Sequence, residues 1–150
     1  MKILVDADAC PVKNIITKIA KKNYIPVIMF VCTANEIKDE YSQVRTVDKG
    51  ADSVDFALVS ECKPEDIVVT QDYGLAAMAL GKKAFVIHPN GFYYSNENIE
   101  RLLMERHIGA KNRKAGIRTK GPAKRTSKNN EDFEIAFSNL LNKALVPKIF

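Results

Sequence analysis

A chain of 150 residues has the length of one domain with its own core, and 46% hydrophobic against 27% charged residues is the balance of a soluble globular protein, not of a disordered or fibrous one. No apolar run approaches the ~20 residues of a membrane span, and Cys10, Cys32 and Cys62, far apart and without CxxC spacing, support neither a zinc site nor a disulfide framework. The net charge of +5 is uneven: residues 106–128 hold nine Lys and Arg and no acidic residue, so a mildly acidic body carries one basic segment, which points to a polyanionic partner.

The first element is the run Ile3-Leu4-Val5-Asp6, a buried strand that the chain enters directly. Asp6 and Asp8 interrupt any signal-peptide core, so a reducing cytoplasm is the expected compartment, with no membrane. Val12 to Lys22 have helical periodicity, with Val12, Ile15, Ile16, Ile19 and Ala20 on one face. Val27 to Val31, after Pro26, is a second buried strand, and Val44 to Val47 a third, at an edge. Ala51 to Cys62 read as a helix, Ile67 to Thr70 as the fourth strand, Leu75 to Leu80 as a short helix, and Ala84 to Ile87 as the fifth strand. Pro89-Asn90-Gly91 is a turn, and Ile99 to His107 a helix. Residues 109–130, with three glycines and a proline, read as a basic loop or arm before a terminal helix over Ile135 to Leu145. Strands alternating with helices predict one α/β domain over residues 1–150. It has three layers: a central, mostly parallel sheet of about five strands flanked by helices.

Five aspartates occupy positions that a sheet-based site would use. Asp6 and Asp8 follow the first strand, Asp72 follows the fourth, and Asp52 and Asp55 stand at a helix start, spaced to share a face. Ligands of open α/β sheets bind outside the carboxyl ends of strands, where strand order reverses. If the first and fourth strands are neighbours there, Asp6 and Asp72 converge on one crevice. Clustered carboxylates raise one another's pKa unless a cation joins them. An all-oxygen donor set suits Mg²⁺ or Mn²⁺, whereas zinc prefers His or Cys. Each position also has a plainer use: Asp52 and Asp72 suit helix caps, and Asp8 can cap the helix that follows Cys10-Pro11. Cys10 near a helix start is a candidate nucleophile, but no arginine-rich phosphate loop follows it, which favours a buried thiol.

In the basic segment, Lys111, Arg113, Lys114, Arg118, Thr119, Lys120, Lys124 and Arg125 supply the cations and hydroxyl that contact phosphate oxygens. Phe92, Tyr93 and Tyr94 can stack bases or pack in the core.

Four runs resemble the bacterial YaiI/YqxD family over residues 3 to about 122: Val5-Asp6-Ala7-Asp8-Ala9-Cys10-Pro11, Gly50-Ala51-Asp52-Ser53-Val54-Asp55, Val69 to Ala77, and Gly116-Ile117-Arg118-Thr119-Lys120-Gly121-Pro122. The resemblance implies a PIN-like fold, a fold whose members are mostly metal-dependent nucleases with clustered acidic residues. By that resemblance Asp6, Asp52, Asp55 and Asp72 match the acidic, metal-binding cluster, with Asp8 beside it. One departure is that the family places an Asp-Arg pair before its last helix, where this chain has Glu131-Asp132-Phe133. The leading expectation is a Mg²⁺- or Mn²⁺-dependent nuclease on RNA or single strands, ahead of duplex DNA, with Asp6, Asp8 and Asp72 catalytic. Its rivals are an aspartate-nucleophile phosphatase using the Asp6-x-Asp8 pair, against which Cys10 stands where a Thr is expected, and a nucleic-acid-binding protein without catalysis.

Overall fold

The computed structural model describes residues 1–32, 37–48, 50, 53–118 and 124–146. Eleven elements follow one another: β1 (Ile3–Asp6), α1 (Lys13–Lys22), β2 (Val27–Cys32), β3 (Gln43–Val47), α2 (Ser53–Glu61), β4 (Ile67–Val69), α3 (Tyr73–Gly81), β5 (Phe85–Ile87), β6 (Tyr93–Tyr94), α4 (Ile99–Lys114) and α5 (Ser127–Leu145).

The strands form one sheet in the order β3-β2-β1-β4-β5-β6. Five are parallel; only the short β6 runs antiparallel, against β5. The sixth strand exceeds the expected five because Pro89-Asn90-Gly91 closes a hairpin: Gly91 donates to the His88 carbonyl at 2.8 Å and His88 to the Phe92 carbonyl at 2.9 Å. β1 and β4 are neighbours, paired as Leu4 with Val68 and Val5 with Val69. From β1 the chain steps outward to β2 and β3, then returns across the sheet to β4, so strand order reverses between β1 and β4.

Alternate strand residues point to opposite faces, and both faces are covered. Ile3, Val5, Met29, Val31, Ile67 and Ile87 pack under α1 and α5, against Ile16, Ile19, Phe133, Phe137 and Leu141. Leu4, Ile28, Phe30, Val68 and Val86 pack under α2, α3 and α4, against Leu58, Leu75, Ala79, Ile99 and Leu102. That makes three layers of an α/β fold. It also explains the near-continuous apolar strands, since a parallel sheet is buried on both sides.

The helix ends differ most from expectation. α4 does not stop at His107 but runs to Lys114. Gly109 within it costs only about 1 kcal/mol, and the basic residues of the last turn suit the negative end of the helix dipole. The helix ends where Gly116 turns left-handed (φ 76°), with Gly116 donating to the Arg113 carbonyl and Ile117 to that of Asn112, a Schellman ending. α5 begins at Ser127, not Ile135, because the Thr126 amide is capped by Asn129 Oδ1 at 2.9 Å. The expected arm therefore contributes its first residues to α4 and its last to α5. Glu131, Asp132 and Phe133 lie inside α5, with Phe133 in the core.

At the end of the sheet away from the strand carboxyl ends, buried Asp66 accepts from Lys2 Nζ at 2.6 Å and from the Lys2 and Lys63 amides at 3.1 and 2.9 Å. That carboxylate ties β1 to the turn before β4, and its role is structural. Among the described residues, no helix is long and apolar enough to cross a membrane.

Candidate functional site

The reversal of strand order places the ends of β1 and β4 side by side, and the side chains there are joined. Asp6, the last residue of β1, accepts a hydrogen bond on Oδ2 from the Thr70 hydroxyl at 2.8 Å. Thr70 follows β4 and is buried; the same hydroxyl accepts from the Asp72 amide at 2.9 Å. The Thr70 carbonyl accepts from the hydroxyl of buried Tyr94 at 3.1 Å. A single hydroxyl thus fixes the Asp6 side chain and the start of the Asp72 loop.

Asp72 caps α3: its Oδ1 accepts from the Gly74 amide at 2.8 Å and the Leu75 amide at 3.2 Å. The cap reading of the sequence holds, and the same oxygen also meets Arg106 Nη1, from α4, at 3.3 Å. A side chain at Gly74 would crowd the cap, since its Cβ would lie 3.2 Å from Asp72 Oδ1, while it would only touch the Arg106 guanidinium, at 3.8 Å. Asp8 does not cap α1, whose N-cap position is Val12. Instead the Asp8 carboxylate accepts the Cys32 amide, at 3.1 and 3.4 Å to its two oxygens, tying the β1 loop to the end of β2. Between Asp8 and Cys10 the chain reverses through Ala9 in the left-handed region (φ 58°), a strained conformation for a residue with a Cβ, and Gln71 Nε2 donates to the Ala9 carbonyl at 3.1 Å. Asp55 stands in the first turn of α2.

The electrostatics of the crevice centre on Asp6. Burial pushes its carboxyl up to about 6; the Thr70 hydrogen bond opposes this, and the negative charges of Asp55, Asp72 and Asp8 add to it. Asp6, Asp8, Asp55 and Asp72 therefore share one field. Asp52 lies outside the described residues. Burial also raises the Tyr94 hydroxyl above its usual range and pushes the Cys10 thiol up, so Cys10 is a core thiol and not an activated nucleophile.

The donor chemistry of this crevice, carboxylates whose mutual repulsion a cation would relieve, suits a hard divalent ion. Among the described residues, no three His, Cys, Asp or Glu side chains stand together as ligands to one ion. Mg²⁺ commonly needs only one or two carboxylates, with waters and substrate phosphate completing its shell. Beside the carboxylates, a cleft of ≈ 270 Å³ is lined by Asp55, Phe56, Asp72, Gly74, Met78 and Arg106.

The expected phosphate-binding residues separate into groups. Lys111, Arg113 and Lys114 are exposed on the last turn of α4, and Arg118 and Lys124 are exposed beyond it. Thr119 and Lys120 lie outside the described residues. Arg125 is engaged within the fold: it donates to Asn90 Oδ1 at 2.7 Å, the Pro89 carbonyl at 2.9 Å and Asn130 Oδ1 at 2.8 and 3.1 Å. Of the aromatic run, Tyr94 is core, Phe92 stacks on His88 with ring centroids 4.4 Å apart, and Tyr93 donates to the Ala136 carbonyl at 2.7 Å.

Thr70, Arg106 and Phe56 were not singled out by sequence reasoning. Thr70 had a signal, being a hydroxyl residue at a strand end two positions before Asp72. Arg106 had only the general charge of the basic segment that it opens, and Phe56 had no signal, because helix packing brings them to the crevice.

Comparison with known proteins agrees with this chain's opening signature. The family model described as an uncharacterised bacterial group, the YaiI/YqxD family, matches residues 4–143. A UPF0178 protein of Ruminiclostridium cellulolyticum is 60% identical over 91% of this chain and 89% of its own length. UPF0178 proteins of Clostridium novyi and Clostridium acetobutylicum are each 51% identical, over 96% and 97% of this chain and 97% and 100% of their own. No solved structure matches. A match over nearly the whole chain, with relatives that share half or more of its residues end to end, makes this chain a member of the YaiI/YqxD family.

Proposed function

We propose that the protein is a divalent-metal-dependent phosphodiester hydrolase acting on RNA or single-stranded nucleic acid, with Asp6 as its central carboxylate. The observation that carries this reading is the state of Asp6. It is a carboxyl raised to about 6 by burial and by three neighbouring aspartates, at the strand-order reversal where α/β enzymes bind ligands. A structural aspartate in that position would be expected to find a cationic partner, as Asp66 does in Lys2.

Asp6 and Asp72 are the residues that would hold Mg²⁺ or Mn²⁺, with Asp55 beside them; the family resemblance adds Asp52 to the set, which lies outside the described residues. When bound, the ion supplies charge stabilisation for phosphate oxygens and a more acidic water. The chain's own residues supply the rest. Thr70 holds Asp6 in one orientation through Oδ2. Arg106 is more than half exposed, at 57%, so its ion pair with Asp72 contributes under about 1 kcal/mol and is readily exchanged for a substrate phosphate. The exposed basic end of α4 then offers further contacts to the backbone. A phosphatase reading needs Asp8 free to act as acid or base, and its carboxylate is engaged by the Cys32 amide.

The test is cleavage of labelled RNA, single-stranded DNA and duplex DNA with Mg²⁺ or Mn²⁺. Wild type should cut single strands, EDTA should stop it, and Asp6→Asn should lose at least roughly 10²-fold in rate while still binding. Turnover of a small aryl phosphate without polynucleotide cleavage would replace this reading with a phosphatase, and binding without turnover would replace it with a non-catalytic module.

A further inference from the structure

Three helices of one face each bring a side chain with no task in the core to the cleft beside the carboxylates. Phe56 of α2 is 70% exposed, although Leu58 on the same helix is fully buried. Leaving a phenyl ring in water forgoes the roughly 25 cal/mol per Å² that burial would contribute. Met78 of α3 is 42% exposed, and methionine adapts to flat, polarisable ligands. Arg106 of α4 completes the wall. Asp55 and Asp72 line this cleft and also act on Asp6, so cleft and acidic crevice share a wall.

The charges beyond the cleft identify its occupant. Arg106 and Arg113 lie seven residues apart on α4, and so on one face of that helix. The Arg113 guanidinium folds back over Gly109, where an added Cβ would come within 3.3 Å of Nη1. An apolar, aromatic slot beside a line of guanidinium groups suits a ligand that alternates flat rings with phosphates. A neutral lipid or an apolar peptide would not call for those cations.

Resting on the hydrolase reading above, we propose that Phe56, Met78 and Arg106 form a subsite that takes one unpaired nucleobase, stacked on Phe56, and sets its phosphate against the Asp6 crevice. A base within a duplex already has its faces covered, so this subsite selects single strands. Aromatic stacking tolerates any base, so the selection is by strandedness and not by sequence.

The experiment measures binding in the Asp6→Asn background with Mg²⁺, so that strands stay intact. The probes are a fluorescent single-stranded oligonucleotide and a strand of equal length made of abasic sites, which carries the same phosphates. The parent should bind the base-bearing strand more tightly. Phe56→Ala should weaken that binding by roughly ten-fold and leave the abasic strand unchanged, which also shows that the variant is folded. Phe56→Trp should keep the preference. A Phe56→Ala protein that still prefers the base-bearing strand overturns the stacking subsite and leaves the hydrolase reading standing. Failure of the parent to bind either strand overturns both.

Discussion

Asp6 and His88 are two groups that burial drives toward their neutral forms, with opposite consequences for stability. The Asp6 carboxyl rises from 3.8 to about 6 on folding, by burial first and by Asp55, Asp72 and Asp8 after it. Between those values the folded state binds more protons than the unfolded one, so its contribution to stability falls as pH rises through that window, by up to about 3 kcal/mol. His88 falls from 6.5 to about 4 through burial and the nearby Arg125 charge; its neutral Nδ1 accepts the Asn90 amide at 2.9 Å. There the unfolded state binds more protons, so stability is lost as pH falls from 6.5 toward 4, by roughly 2 kcal/mol after solvent screening. The two slopes oppose each other over almost the same range. Urea denaturation from pH 4 to 6.5, with EDTA present, should therefore show Asp6→Asn gaining stability relative to wild type as pH rises, and His88→Asn losing it. An Asp6→Asn curve parallel to wild type would mean that Asp6 has an ordinary pKa and no shared field with its neighbours. An aspartate at a strand end was readable as a candidate site residue because it ends an apolar run. Its pairing with Thr70 was not, since the hydroxyl arrives from 64 positions away.

At the scale of elements, the helix ends were the least legible part of the chain, and the reason is that their stop signals are not local. Gly109 read as a breaker, yet the stop is Gly116, where the left-handed turn closes two backbone hydrogen bonds. Asn129 takes the place that Glu or Gln holds in the usual capping pattern, so the start of α5 at Ser127 carried a weak signal. Arg125 read as part of a phosphate-binding arm because its partners Pro89 and Asn90 lie on the β5–β6 hairpin, distant in sequence. It clamps that hairpin to the start of α5, and Gly91 allows the same approach. Gly91 has φ 95°, and a Cβ there would stand 2.8 Å from the backbone C and O of Asp132. Gly91→Ala should cost about 2–3 kcal/mol. Arg125→Ala should cost about 1–3 kcal/mol, with little recovery in Arg125→Lys, since an ammonium cannot span the same fork of acceptors. Denaturation midpoints check both. An Arg125→Ala protein of wild-type stability that bound nucleic acid more weakly would return Arg125 to the phosphate-binding set.

For the whole molecule, the layers and the meeting of Asp6 with Asp72 were legible because strand–helix alternation admits few topologies, and the reversal of strand order falls between β1 and β4. The neighbours of that crevice on α2 and α4 depend on how α3 packs against its two flanking helices, and no periodicity encodes that. The charge pattern carries the last prediction. An acidic crevice on the sheet's carboxyl edge is joined through Arg106 to an exposed basic end of α4 with Lys111, Arg113 and Lys114, followed by Arg118 and Lys124. By the hydrolase reading, a single strand laid along that end would displace counterions. The logarithm of affinity should then fall linearly with the logarithm of salt, with a slope of about −0.7 per phosphate neutralised, or about −2 if half of these groups engage. Replacing Lys111, Arg113 and Lys114 by Gln preserves helix propensity and should flatten the slope by about 1, weakening all sequences alike because phosphate contacts carry no base information. Arg125→Ala should leave the slope as it was. An unchanged slope in the triple Gln variant would make the end of α4 a solvated face and move the phosphate contacts elsewhere, whereas a flattened slope with the base-over-abasic preference intact would separate what holds the backbone from what holds the base.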